Sequence, residues 1–393
     1  MSVRVYLRRD ARKVARERRR WIRAAQIQRI QGPADPAELA QIYDSKQNPL
    51  GWGLYSPQSE LRVRVLSWDA KPLAENWLEE RIAKALGRRA ALGLDASDPQ
   101  AATTGYREIN SEGDGLPGLV VDRYGEHRVL QITTAPMAAR QAAILDALET
   151  HGPGATALVL RPEKAAAKEG FVPGFEGPVI DAMRYREHDV NFEVPGPPTQ
   201  KTGGYHDQRD NRHRVAELAE ADGRPLLDLG SHVGGFSVHA AARGIPALAV
   251  DSSAQMLSFV ERNANGLPGA VRTLRADMFA PLDDAALQGP FGTIVFDPPK
   301  IASKPSDKRR AISATTRVLE QLFDRLAAGG HLVICSCSHH FTREDMDGCV
   351  RRVADACGRA TTLVESRGPG LDHPVHEGHA QGEYLRVNIY RCA

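Results

Sequence analysis

Between residues 225 and 337 the chain alternates short apolar runs with longer amphipathic ones. P-L-L-D-L (225–229), A-L-A-V-D (247–251), V-R-T-L-R-A-D (271–277), G-T-I-V-F-D (292–297) and H-L-V-I-C-S-C (331–337) read as strands. Helices intervene, the clearest from Val318 to Ala328, closed by Gly329-Gly330. Strands apolar on both faces need cover on both faces, so the pattern predicts a mainly parallel, doubly wound α/β sheet. Ligands of such sheets bind beyond the carboxyl ends of the strands. The chemistry is to be sought there.

The rest of the 393 residues is built differently. From Val3 to about Asp69, β-like runs are broken by turn residues: V-R-V-Y-L, L-A-Q-I-Y-D, G-W-G-L-Y-S and L-R-V-R-V-L-S-W. Residues Asn76 to Leu92 repeat apolar side chains at intervals of three and four, which predicts an amphipathic helix. Two apolar runs around Tyr124-Gly125-Glu126 predict a hairpin, followed by a helix from about Ala138 to Thr150 and the short run A-L-V-L. The Pro- and Gly-rich E-V-P-G-P-P-T-Q-K-T-G-G-Y (193–205) reads as a connector. Three domains follow: a β-rich one over 1–72, a small central α/β one over 73–190, and the doubly wound one over 191–393.

Charge is unevenly spread. Residues 1–30 hold ten Arg and one Lys against Asp10 and Glu17, about +9 in a chain whose net charge is +2. Such a surface suits phosphate contacts. An Arg-rich transit peptide would look similar, but Trp21 and Ile22 inside the stretch argue that it packs. No run of about 18 apolar residues exists, and the N-terminus lacks an apolar signal core, so a chain without membrane association is expected. Five cysteines in the C-terminal third do not resemble a disulfide framework, which favours a reducing, cytoplasmic setting. Oligomeric state stays open, and a homodimer is compatible with the chain.

The first strand of the doubly wound part ends D-L-G-S-H-V-G-G-F-S (228–237). Gly230 permits a sharp turn, and Gly234 with Gly235 a close approach at the helix start. The spacing is not the G-x-G-x-x-G of a pyrophosphate site. Asp251 ends the second strand, where a carboxylate can accept both hydroxyls of a ribose, and Asp277 ends the third, suited to an adenine amino group. A glycine turn with acids on successive strand ends, Asp228 included, favours S-adenosylmethionine, which carries ribose and adenine but no phosphate. Asp228 or Asp277 could instead simply cap a helix or turn.

The fourth strand ends F-D-P-P-K (296–300), a stiff turn whose acid, Asp297, can aim into the crevice beside a planar base. Lys300, Lys304, Lys308, Arg309 and Arg310 follow at the same mouth, where phosphates would meet them. In the fifth strand Cys335 and Cys337 share one face, with Cys337 at the carboxyl end. A thiolate there can attack carbon 6 of a pyrimidine and make carbon 5 nucleophilic enough to take a methyl from a sulfonium. Asp297 would stabilise a proton on ring N3 as charge develops. Cys335 reads as an inert packing thiol. A zinc site from Cys335, Cys337, His339 and His340 lacks the ligand spacing of structural zinc, so no metal is expected.

Q-K-T-G-G-Y-H-D-Q-R-D-N-R (200–212), D-L-G-S-H-V-G-G-F, F-D-P-P-K, C-S-C-S, the tail D-H-P-V…G-E-Y-L (372–385) and E-G-D-G-L-P-G-L-V-V-D-R-Y-G together resemble the RlmI-like family of large-subunit ribosomal RNA cytosine-carbon-5 methyltransferases. The resemblance implies an N-terminal PUA RNA-binding domain, a central α/β domain and a C-terminal Rossmann-like class I methyltransferase. It carries Cys337 over as nucleophile and Asp297 as the acid before Pro-Pro. Asp228, Gly230, Gly234, Asp251 and Asp277 fall on the cofactor positions, with Gln208 and Arg209 at the methionine end or the substrate approach. Arg19, Arg20 and Lys300 are the expected RNA contacts. Arg19-Arg20 stand where the family often has His-Pro, and His339-His340 where a smaller residue is common. Two other readings remain at this point: transfer to an exocyclic nitrogen of guanine or adenine in RNA, and a catalytically inactive RNA-binding ribosome-assembly factor.

Overall fold

The computed structural model describes residues 3–197 and 202–393, so Pro198, Thr199, Gln200 and Lys201 of the connector lie outside the described residues. The chain divides into two compact units. One comprises Met1–Met183, Gly196–Gly204 and Leu371–Gly382, the other Arg184–Pro195, Tyr205–Gly370 and Glu383–Ala393.

The first unit holds a six-stranded and a five-stranded sheet. The basic N-terminal stretch is woven into the former: Val3–Leu7 pairs with Ile27–Gln31 and with Leu39–Tyr43, and Arg12–Arg16 forms a short helix between. Val3, Val5, Leu7, Val14 and Ile22 are buried, so apolar residues interleaved with the arginines are what order it. In the five-stranded sheet Leu119–Tyr124 and His127–Ile132 form the hairpin expected around Gly125. Helix Trp77–Ala91 lays Trp77, Leu78, Ile82 and Ala85 into a core that also contains Leu54 and Leu66 of the other sheet. Each such side chain contributes roughly 1.5–3 kcal/mol on burial.

One buried ion pair ties this unit together. Arg89, 1% exposed, binds both oxygens of Asp114 at 2.7 Å. It also donates to the carbonyls of Arg107 (2.8 Å) and Asp372 (2.7 Å). Through the last bond the D-H-P-V segment is anchored to the helix.

In the second unit seven strands form one sheet: β1 (Leu226–Leu229), β2 (Ala247–Asp251), β3 (Val271–Arg275), β4 (Phe291–Phe296), β5 (Leu326–Ser336), β6 (Thr361–Arg367) and β7 (Arg386–Cys392). Their order is β3-β2-β1-β4-β5-β7-β6. The first five run parallel, while β7 pairs antiparallel with both β5 and β6. Helices α1 (Arg209–Asp222), α2 (Gly235–Ala242), α3 (Ala254–Ala264), α4 (Lys308–Arg325) and α5 (Arg343–Ala356) accompany them. Every residue of β4 is buried, as its uninterrupted apolar run requires.

Two boundaries differ from expectation. Helix α4 starts ten residues before Val318 and stops at Arg325, because Leu326 pairs with Phe291 and opens β5. Gly329, with φ 72°, therefore sits inside a strand and does not close a helix. Lys308, Arg309 and Arg310 are in the first turn of α4 and not in the preceding loop, and Lys308 is paired with Asp345 at 2.9 Å.

Replacing Arg89 with Met should destabilise the first unit by about 3–5 kcal/mol, because Asp114 is left charged and buried. Urea denaturation of the variant checks this.

Candidate active site

Sheet register brings the site together. Leu229, the last residue of β1, pairs with Phe296, the last of β4, and the Asp297 amide donates to the Leu229 carbonyl at 3.0 Å. The chain then diverges on both sides of this pairing, which opens the crevice at the switch of strand order. Gly230 follows with φ 94°, and any Cβ there would run into the Asp297 carbonyl oxygen and Met278. Only glycine fits this turn.

The walls of the crevice are polar. Asp251 accepts from the backbone amides of His232 and Ser253, both at 2.9 Å, which fixes its carboxylate at the end of β2. Asp277, two residues past β3, is exposed and accepts from the Phe279 amide at 2.9 Å. Asp228 lies fully buried under the loop, receiving the Ser237 amide at 3.0 Å and so holding the start of α2. Burial pushes its carboxyl up to about 6. Its Oδ1 and the hydroxyl of Ser231 are buried without a hydrogen-bond partner among the described residues. Orphaned acceptors beside a glycine cradle, below two strand-end acids, fit a polar ligand of nucleoside type. Gly235 serves a different purpose from the one expected, since the position its side chain would take is filled by the Arg212 guanidinium.

Asp297 and Cys337 stand at adjacent strand ends. Burial, then the nearby Asp207 carboxylate, pushes the Asp297 carboxyl up to about 7, against a hydrogen bond from Gln208 Nε2 at 3.1 Å. Asp297 therefore holds a proton near neutrality. Cys335 is buried on β5, and burial raises its thiol well above the ordinary value. Cys337 lies just past β5 and is only partly buried. Ser338 turns inward at that point, its Oγ accepting the amides of Ile301 (3.0 Å) and Ala302 (3.1 Å). The Pro-Pro-Lys loop and the cysteine turn are thereby fastened to each other. His339 and His340 place their rings edge to face 5.2 Å apart beyond it. Among the described residues no group of three or more His, Cys, Asp or Glu could hold a metal ion.

Other expected residues are more dispersed. Gln208 is in the site, whereas the buried Arg209 turns to Asp210 at 2.9 Å. Lys300 is exposed on the loop after Pro299. Arg19 and Arg20 belong to the first unit. Arg19 is exposed; Arg20 donates to the carbonyls of Val65 and Leu66 and contacts His376, and with Arg18 and Trp68 it lines a cavity of about 610 Å³. Tyr205 was not singled out from the sequence. Its half-buried phenol is pushed up to about 12, first by burial and then by Asp297, Asp207 and Cys337. The available signal was its place between Gly204 and Gln208 in the quoted motif.

A family model described as a PUA-like domain matches residues 5–68. The chain is 35% identical over 380 residues to the ribosomal RNA large subunit methyltransferase of Deinococcus radiodurans, covering 93% of this chain and 92% of that protein. It is 30% identical over 399 residues to ribosomal RNA large subunit methyltransferase I of Photobacterium profundum, covering 98% of each. A solved chain described as a methyltransferase and complexed with SAH shares the fold, with a TM-score of 0.79 at 17% identity and full coverage of both chains.

Gly230→Ala should cost roughly 1–3 kcal/mol of stability through the left-handed backbone alone, with the clash adding to it, and should weaken nucleoside binding measured by calorimetry. Asp297 titrates at about 7 when folded, above its ordinary 3.8. Its protonated form therefore supports the fold fully below about pH 4, and that support is lost as pH rises through 7. Asp297→Asn should thus gain stability relative to the parent as pH rises from about 4 to 7 and hold that gain above it, read as a shallower fall in urea midpoint over that window.

Proposed function

The chain belongs to the ribosomal RNA large subunit methyltransferase family, and we propose that it methylates carbon 5 of a cytidine in large-subunit ribosomal RNA with Cys337 as nucleophile. The observation that carries this reading is the pairing of a partly accessible thiol just past β5 with an acid, at the end of β4, that keeps its proton near neutrality. The cofactor is S-adenosylmethionine, which supplies an electrophilic methyl group on a sulfonium. The turn from Gly230 to Gly234, with Asp251 and Asp277, would hold it, and Asp228 supports that turn from below.

The chain's own residues then act in order. A target base must leave its stack to enter a crevice of this kind. The Cys337 thiolate adds to carbon 6, forming an S–C bond, and the displaced electron pair reaches ring N3, which takes the proton of Asp297. Carbon 5 is now the nucleophile. Once it carries the methyl group, a solvent base takes its proton, the C–H electron pair restores the C5–C6 double bond and expels Cys337 as thiolate, and N3 returns its proton to the Asp297 carboxylate. Tyr205, beside both residues, helps to keep water from the adduct.

Lys300 and Arg19 are assigned to RNA phosphates, and Arg20 to shaping the cavity of the first unit. Such contacts make binding salt-sensitive. Among the described residues no helix is long and apolar enough to cross a membrane. The reading places the protein in the cytoplasm with ribosomal RNA as its partner and is compatible with a homodimer.

Cys337→Ala should lower methyl transfer by roughly 10³-fold or more while calorimetry still shows cofactor binding. RNA containing 5-fluorocytidine should leave a covalent complex with the parent protein, visible on a denaturing gel. Retained activity in the variant together with no trapped complex would point to an exocyclic nitrogen instead.

A further inference from the structure

A hydrogen-bond chain leads away from Asp297 and ends on an arginine. Gln208 donates from Nε2 to Asp297 Oδ2 at 3.1 Å and accepts at Oε1 from Asn211 Nδ2 at 2.8 Å. Asn211 Nδ2 also donates to the Gly368 carbonyl at 3.0 Å, and Asn211 Oδ1 accepts from Arg367 Nε at 3.0 Å. Gln208 and Asn211 are 3% and 1% exposed, so water cannot substitute for a missing partner. Amide side chains can turn end for end, and nothing in Gln208 itself decides which end faces the acid. A guanidinium can only donate. Arg367, together with the Gly368 carbonyl, which can only accept, therefore turns the oxygen of Asn211 toward the guanidinium, the nitrogen of Asn211 toward Gln208, and the nitrogen of Gln208 toward Asp297.

We propose that Arg367 is a positioning residue for the methyl transfer: acting through Asn211 and Gln208, it fixes the direction of this chain so that Asp297 Oδ2 always accepts and the acid's proton is confined to Oδ1. The proposal rests on the reading of Asp297 as the proton donor to ring N3. Arg367 is itself held by Glu365 at 3.0 Å and by the Asp210 carbonyl at 3.4 Å, so its orientation is set on three sides. The groups bearing on Asp297 from the surrounding elements are Asp207, Gln208, Asp228, Arg212, Tyr205 and Cys335. Of these, Gln208 is the one whose contribution reverses if the amide turns. With its N–H toward Asp297 it favours the carboxylate; with its carbonyl there it would demand a proton on Oδ2, the wrong oxygen for the base.

The test compares Arg367→Lys, which can still only donate, with Arg367→Gln, which can donate or accept. Arg367→Lys can keep an ion pair with Glu365 and Arg367→Gln cannot, so urea midpoints are read beside activity: a merely structural role predicts that kcat follows stability and that the pH profile stays unmoved in both. The relay predicts that Arg367→Lys keeps kcat within about threefold and keeps the pH profile of kcat/KM. Arg367→Gln should lower kcat about tenfold or more, the scale of a misaligned reacting group, leave the KM for S-adenosylmethionine unchanged, and move the alkaline limb to higher pH. Equal kcat and unmoved profiles in the two variants would overturn the proposal. The 5-fluorocytidine trap run on the parent protein separates the premises: a trapped complex with equal variants rejects the relay alone, and no trapped complex rejects the nucleophile reading and the relay with it.

Discussion

Everything at the catalytic end of the second unit depends on the pairing of β1 with β4. The Asp297 amide is the last donor of that ladder, to the Leu229 carbonyl, and the next residue on each side leaves the sheet. A one-residue slip would turn Asp297 to the other face, since side chains alternate along a strand. The pairing also packs Gly230 against the Asp297 carbonyl, so the cofactor turn and the acid are two sides of one contact. Further interactions refine this arrangement without creating it: Ser338 holds the Pro-Pro-Lys loop, and Asp251 holds the His232 amide of the glycine turn.

Burial raises the carboxyls of Asp228 and Asp297, and the nearby acids, Asp251 for the former and Asp207 with Asp228 for the latter, add to it. The compensating positive charge sits behind the cofactor turn. Arg212 binds both oxygens of the fully buried Glu187, at 2.9 and 3.0 Å, with His239 at 3.4 Å from the same carboxylate. Burial opposes ionisation of Glu187, yet Arg212 and then the hydrogen bonds of His206 and His239 hold its carboxyl well below the usual range. Removing one member would strand a buried charge. The guanidinium needs room, and Gly235 provides it. The third glycine of the G-x-x-x-G-G turn thus reflects the electrostatics of the core, while the first reflects backbone geometry.

How much of this was legible depends on whether a signal was local. Of the five parallel strands β1, β2, β4 and β5 were visible as largely continuous apolar runs and the polar β3 (V-R-T-L-R) from its place in the alternation, while Asp297, Gly230 and Asp251 were visible because each follows or ends a run. The strands Thr361–Arg367 and Arg386–Cys392 escaped: the first is largely exposed and polar, and the second is ordered by its antiparallel partners. Leu326 to Ala328 favour helix locally, but pairing with β4 overrides that preference. The basic stretch was legible as packed from Trp21 and Ile22, but the short helix Arg12–Arg16 and the strand Ile27–Gln31 within it carry no local signal of comparable strength. Tyr205 and the route from Asp297 to Arg367 were out of reach for a different reason. They join residues up to 157 positions apart through side chains that have no periodicity to read.

The two cysteines of C-S-C-S show why position outweighs residue type. Both belong to one short motif at the end of one strand, yet only one is reached by solvent. Cys335 lies within the hydrogen-bonded part of β5, surrounded by Val295, Val333 and Val387, where a thiolate has neither solvent nor a positive partner and its proton is held tightly. Cys337 is beyond the last ladder residue, where backbone pairing stops and solvent reaches the side chain. The two serines complete the distinction, because Ser336 Oγ accepts the Ser338 amide at 3.2 Å and Ser338 Oγ accepts from the Pro-Pro-Lys loop. Small hydroxyl residues on either side of Cys337 bend the chain out of the sheet at that residue. The motif therefore encodes a strand that terminates one residue after its last buried thiol, and the termination is what leaves the second thiol only partly buried.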